Sequence, residues 1–460
     1  MRKFLTIACA LAMASTAVPA FAAVQSVRVG GFTNNTFVHR QNFDLGRGSG
    51  GTDKQDVFID QTGLKVDADL TDQVAATVAL ITERPWNNDN TSTSSNVDLY
   101  LAYVTLREML YSPLTLVVGR QQFSFGNGLI FDATGSNNAA PGDSGIQSVA
   151  ADLTLQTSVD AIRAILDYNP LTITAFYSAL NQNTVTISTL KDNVDIWGLN
   201  ANYQLGDDMD SVVEGYFFLK RDKSNLDMHT GAKTDYVKVV GIRASTNPIE
   251  GLNLQAEFAH QGGSKAINTA DYSQNRHRNA FAVQAIVNYQ VPYMQEYKPV
   301  AQYVYTKVTG DTDTDLTDSN RTDYTGWDPF FEAQGGGRIY NALFNLTNMQ
   351  IHELSLTTQP MEDVTAKLGI TGIWLERDLK MGTSTLPSVM YTSPDGVSRS
   401  YSVNPNEKYL GKELDLDLTY NYTEDVQFGA SVGWFFPGGL FTADNNSAAK
   451  QLLLNMNVSF

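Results

Sequence analysis

The sequence predicts an all-β fold: a single transmembrane antiparallel barrel of about eighteen strands, with short periplasmic turns and long extracellular loops. Three observations predict it. Apolar and polar residues alternate with a period of two, short and long connections alternate without a miss, and the chain closes on an alternating strand ending in Phe460.

The first segment is read as an export signal. Arg2 and Lys3 precede an apolar run from Phe4 to Val18 and the sequence Ala20-Phe-Ala22, which predicts a leader over residues 1–22 and a barrel over 23–460. The single cysteine, Cys9, lies in that leader, and Thr6 stands where a lipid-anchor signal needs leucine. The barrel region therefore offers neither disulfides nor thiolate chemistry. The formal charge of −17 argues against a nucleic-acid partner. No apolar run long enough for a helical span follows the leader, which leaves strands as the means of crossing a membrane.

Short connections are expected at Leu70–Gln73, Tyr111–Pro113, Tyr168–Pro170, Gly206–Met209, Asn247–Glu250, Val291–Gln295, Gln359–Glu362 and Tyr422–Glu424. Long ones are expected at roughly 39–55, 83–95, 121–157, 181–192, 221–233, 262–276, 310–347, 377–407 and 437–448. An even strand count with both ends periplasmic follows, as an outer-membrane barrel requires. Within strands the alternation is plain. In Leu252–Phe258, Asn253, Gln255 and Glu257 share a face opposite the leucines. In Leu414–Tyr420, Asp415, Asp417 and Thr419 do the same.

Aromatics gather at strand ends. Tyr111, Tyr168, Tyr203, Tyr289, Tyr420 and Tyr422 sit beside short turns, and Trp86, Trp374, Trp434 and Phe436 sit toward long loops. Two rings at two depths match interfacial girdles. In the last strand, Leu452, Leu454, Met456, Val458 and Phe460 fall on one face, and Phe460 is expected to serve barrel closure and assembly.

Three stretches resemble the alginate-export porin family. They are Leu114–Gln121 leading into Phe123–Asp132, Val159–Ala164 followed by Leu171–Tyr177, and Leu410–Leu416 followed by Trp434–Gly438. The resemblance spans essentially all of the chain beyond the leader. It implies an eighteen-stranded passive channel, and in the alginate exporter itself a lumen rich in arginine and lysine that passes an anionic polysaccharide.

Parity assigns the candidate pore-lining charges: Arg163, Asp167, Glu214, Lys220, Arg243, Glu257, Glu353, Lys367, Glu413, Asp415 and Asp417. Arg120 shares parity with outward Leu114, Leu116 and Val118, while the resemblance of Gly119-Arg-Gln121 to the family's segment implies an inward side chain. Four basic against seven acidic positions predict a lumen that a polyanion would find repulsive, above all at Glu413, Asp415 and Asp417. The architecture of the family is thus better supported than its best-known cargo.

Other chemistry is thin. No two histidines share metal-ligand spacing, so no metal and no cofactor is expected. Arg276-His-Arg278 reads as a loop-to-strand junction facing lipid headgroups. Asp311–Asp315 opens like a calcium loop, but Leu316 stands where glycine is needed and Thr322 where glutamate is needed. No Gly-x-Ser-x-Gly elbow points to a hydrolase, and no enzyme is expected. The predicted function is passive passage of hydrophilic or saccharide solutes by a monomer. Its expected partners are outer-membrane lipid, lipopolysaccharide and the barrel-assembly machinery. A sheath for another secreted protein and a loop-based receptor or adhesin are the alternatives. The loops 121–157, 310–347 and 377–407 are long enough to fold inward or outward, and Phe330, Phe331 and Gly335–Gly337 mark the second as not purely solvated.

Overall fold

The computed structural model describes residues 25–46, 53–86, 97–132, 144–180, 194–223, 231–269, 272–311, 321–333, 335–379 and 388–460. The leader expected over residues 1–22 and the run after Asp311 lie outside them. Among the described residues, eighteen antiparallel strands close on themselves. The first six are β1 (Ser26–Gln41), β2 (Lys54–Asp69), β3 (Val74–Pro85), β4 (Asp98–Leu106), β5 (Leu114–Gln121) and β6 (Val159–Asp167). The next six are β7 (Leu171–Leu180), β8 (Val194–Gln204), β9 (Val212–Asp222), β10 (Asp235–Ile249), β11 (Leu252–Thr269) and β12 (Ala280–Gln290). The last six are β13 (Val300–Val308), β14 (Met349–Met361), β15 (Val364–Leu375), β16 (Tyr409–Asn421), β17 (Val426–Pro437) and β18 (Ala449–Ser459).

Closure is made by β18 on β1, in register from Phe32 opposite Ser459 to Gln41 opposite Lys450. Phe460 completes the seam: its N–H donates to Gly31 O at 3.0 Å and its carbonyl accepts Gly31 N–H at 2.8 Å. No edge is left for lipid to meet. All eight expected short turns fall between paired neighbours. The outer face carries the expected apolar parity, with Leu354, Leu356, Leu368, Ile370, Leu414, Leu416 and Leu418 all exposed. Tyr111, Tyr168, Tyr203, Tyr289, Tyr420 and Tyr422 are exposed beside the short turns.

Two expectations need correction. The stretch 262–276 is no simple loop: β11 runs to Thr269 and pairs with a further strand, Tyr272–Arg278, which rises beyond the barrel rim. Polar residues on both faces of this hairpin hid it, because alternation shows only where one side is apolar. Arg276 and Arg278 are therefore fully buried rather than turned to headgroups; Arg278 pairs with Asp235 at 2.9 Å and lies 5.2 Å from the Tyr324 ring.

The core lies inside the barrel and is built by loops. Phe123, Leu129, Ile130 and Phe131 from one loop meet Trp327, Phe330, Ile339, Tyr340, Leu343 and Phe344 from another, and all are buried. Tyr401, in the second strand of the hairpin Ser388–Thr392/Ser398–Ser402, and Val403 just after it join the same cluster. A barrel this wide cannot fill its lumen with wall side chains alone, so the loops supply the packing.

Candidate functional site

The interior is the candidate site, and its geometry follows from where three loops enter. The first leaves β5 through Gly119, whose φ of +124° is a conformation that glycine adopts without strain. Beyond Gln121 the chain turns into the lumen. Phe123, Phe125 and Phe131 then pack on Phe176 of β7 at centroid distances of 4.9, 5.6 and 5.4 Å. Further along, residues 144–157 are fastened by Glu83 of β3. Its buried carboxylate accepts from Gln61 Nε2 (2.8 Å), Ser144 Oγ (3.1 Å), Thr154 Oγ1 (2.8 Å), Leu155 N (2.8 Å) and Gln156 Nε2 (3.2 Å). Arg40 of β1 makes a fork to Asp152 at 3.0 and 2.6 Å. Sequence reasoning misses both residues: loop composition puts Glu83 at the start of one long connection and Arg40 within another, whereas both lie in strands.

The second loop crosses the lumen and carries a short helix, Arg338–Leu343. Asp328 anchors its approach through Lys220 of β9 and, at 3.7 Å, Arg278. Burial alone would raise the Asp328 carboxyl; the cations Lys220, Arg278 and Lys265 hold it below the usual carboxylate range. The third loop caps the assembly, with Arg399 gripping Asp395 at 2.8 and 2.6 Å and Asp395 N–H donating to Ala342 O at 3.1 Å.

The acidic ladder on β16 does not face an open path. Glu413 accepts Ile339 N–H at 2.6 Å and Tyr340 N–H at 2.8 Å. Asp415 accepts Arg338 N–H at 3.4 Å, and Asp417 pairs with the Arg338 guanidinium at 3.2 Å. The repulsive acidic patch expected there is therefore corrected: these carboxylates hold the inner loop. Their partners lie some 75 residues away in sequence, where strand parity carries no information.

The remaining predicted charges fall as follows. Arg120 points outward, paired with Asp160 at 3.5 Å in the row that places Val118 opposite exposed Ile162; its parity decides, and the inward placement implied by resemblance is corrected. Lys220 faces inward, 4.9 Å from the Phe330 ring. Glu214 accepts from Asn200 at 2.7 Å and from Arg243 at 3.4 Å. Arg243 also donates to Gln255 at 2.8 Å and to Asn127 of the first loop at 3.1 Å. Glu257 accepts the Tyr216 hydroxyl at 2.6 Å. Lys367 donates to Glu353 at 3.1 Å. Asp167 lies at the turn and accepts Asn169 N–H at 3.1 Å rather than meeting Arg163.

Arg163 differs from the rest. Among the described residues it has no carboxylate partner; its guanidinium lies 4.9 Å from the Phe123 ring. It lines a polar recess of about 280 Å³ with Ser124, Thr174, Asn200, Asn202 and the paired Glu214 and Arg243. Below the recess a hydrogen-bonded chain of wall amides runs Gln255–Asn253–Asn288–Gln302, with contacts of 2.7, 3.3 and 2.8 Å.

A closed eighteen-strand barrel with an apolar exterior, a polar wall inside and loops folded into the lumen defines an outer-membrane channel for solute passage. The chain belongs to the alginate export family, whose model matches residues 26–455. No curated protein matches it. Among solved structures it is similar to Pseudomonas aeruginosa OccK3 (OpdO), with 11% identity, 95% of this chain and 97% of that one covered, and a TM-score of 0.57. It is also similar to OccK2 (OpdF) of the same organism in complex with glucuronate, with 9% identity, coverage of 95% and 99%, and a TM-score of 0.56. OccD3 (OpdP) follows with 12% identity, coverage of 95% and 92%, and a TM-score of 0.52. Identities this low speak to the fold alone.

Proposed function

We infer that this outer-membrane channel passively conducts small hydrophilic solutes and favours saccharide acids over long polyanions, without catalysis. The observation that carries the reading is Arg163: among the described residues a cation without a carboxylate partner, in a recess where Glu214 is already paired with Arg243 and where Ser124, Thr174, Asn200 and Asn202 offer hydroxyls and amides to sugar hydroxyls. The recess has room for about one sugar ring, and the described parts of the inner loops pack into the lumen beside it. OccK2 in complex with glucuronate is a barrel of like fold holding a solute of this class.

The test is single-channel current in a planar bilayer, with uronate monomers, neutral monosaccharides and alginate oligomers added in turn. Concentration-dependent block by the uronate, weaker block by the neutral sugar and little effect of the oligomer are expected. A barrel that is silent until a secreted protein is added would make it a sheath instead. Equal block by charged and neutral sugars would remove Arg163 from the account.

A further inference from the structure

The outer wall over β1–β3 breaks the apolar rule in an ordered way. Register sets Gly31 opposite Leu64 and Leu64 opposite Leu80. The next outward row is Thr33–Thr62–Thr82, and the row above it is Asn35–Asp60–Arg84. Above that come the aromatics Phe37, Phe58 and Trp86, with Phe58 and Trp86 stacked at 4.7 Å. The outward sense of these residues is fixed by their neighbours, since Gln61 and Glu83 between them bond the loop inside the lumen.

Six polar side chains thus form two cross-strand rows between an apolar row below and an aromatic row above. They are linked to one another: Thr33 Oγ1 to Thr62 Oγ1 at 3.2 Å, Thr62 Oγ1 to Asp60 Oδ1 at 3.1 Å, and Arg84 Nε to Asp60 Oδ2 at 3.6 Å. Arg84 is more than half exposed. The neighbouring face of β18 shows no such break, running Leu452, Leu454, Met456, Val458. Acyl chains offer no hydrogen bonds, and a charge on the lipid face costs about 2–4 kcal/mol near the bilayer midplane.

We propose that this patch is an interface between two copies of the chain, with Thr33, Asn35, Asp60, Thr62, Thr82 and Arg84 at its centre and Phe37, Phe58 and Trp86 at its rim. The patch carries one acid and one base and holds both donors and acceptors, so it complements itself. A two-fold axis passing between the two charges sets Asp60 against Arg84 of the partner subunit. Its formal neutrality disfavours an anionic headgroup as the occupant, and its place beneath the aromatic row sets it below the level of headgroups. Flanking aromatics around a desolvated polar centre are the composition of a specific contact rather than of a lipid surface.

The sequence has no cysteine outside the expected leader, so Thr62→Cys introduces a lone thiol into the wall. Oxidative or bis-maleimide cross-linking in native outer membranes should give a band at twice the monomer mass, severalfold stronger than for Ile242→Cys, an exposed wall position on β10. A doubly substituted Asp60→Leu/Arg84→Leu chain, with Thr62→Cys retained, should keep its heat-modifiable barrel mobility and lose the dimer band. The proposal is overturned by cross-linking no stronger than at Ile242→Cys, by a product of any other mass, or by a dimer indifferent to the double substitution.

Discussion

Glu413 on the barrel wall and Tyr340 on the inner helix are joined across the lumen, the carboxylate accepting the Tyr340 amide at 2.8 Å and the Ile339 amide at 2.6 Å. Gly337 makes the approach possible: its φ is +108°, and a Cβ there would meet the Glu413 carboxyl at 2.5 Å. An acid that reads as part of a charged pore wall is instead a fastening. Glu413→Ala strips two buried amides of their acceptor, at about 1–3 kcal/mol each. The expected result is an intact barrel with a loosened plug, seen as higher and noisier single-channel conductance. A conductance equal to that of the unsubstituted protein would count against the fastening.

Arg163 yields the complementary prediction. Its replacement removes a cation that has no carboxylate partner among the described residues, and breaks no ion pair, though it gives up the contact with the Phe123 ring of the first loop. Arg163→Ala should move the reversal potential in a salt gradient toward cations and weaken uronate block severalfold, with neutral-sugar block little changed. Arg163→Lys should restore the charge-dependent part but not the full affinity, since a point charge replaces a planar fork. If both variants block like the parent, the recess is not on the solute path.

Arg40 tests the outer fastening. Its guanidinium, almost wholly buried, bridges Asp152 at 2.6 Å and approaches Asp395 at 4.0 Å, joining two loops to β1. Arg40→Met leaves Asp152 buried without its counter-charge, a loss of about 3–5 kcal/mol. The barrel rests on its strand ladder and should persist. The loops should become accessible to protease on intact cells at concentrations that leave the parent uncut, and an unchanged digestion pattern would reject the role.

What could be read from the sequence follows the range of the forces involved. Strand alternation, turn residues and the closing strand are local, so the strand count and all eight short turns were legible. Arg120 was only half legible: its parity with Val118 points outward, while its place at the strand end, where a bulge could turn it, and the resemblance favoured the inward placement that the structure corrects. Glu413, Asp415 and Asp417 share one face by parity, yet what they meet there is set by a loop far along the chain. Phe330 and Phe331 gave the one clear sign that this loop folds in, being apolar where a solvated loop has no use for them. The hairpin of Tyr272–Arg278 left no sign, since neither of its faces is apolar.

Asp53 links the outer cap to pH. Burial first, and then a carboxyl–carboxyl hydrogen bond and like charge from Asp44, push it up to about 6, partly offset by the Asp44 backbone amide and the Arg399 guanidinium. The sign follows from linkage: between the unfolded value of 3.8 and about 6 the folded loop binds more protons than the unfolded one, so stability falls as pH rises through that window. The cap that Asp44 and Asp53 share should be tightest below the unfolded value of 3.8 and loosest above about 6. Spontaneous current fluctuations should therefore increase on raising the external pH alone from about 4 to about 7, across that window. Asp53→Asn, which keeps a hydrogen-bonding side chain without the titration, should flatten that dependence. A parent channel whose fluctuations ignore external pH, or an Asp53→Asn channel that keeps the full response, would remove Asp53 from control of the cap.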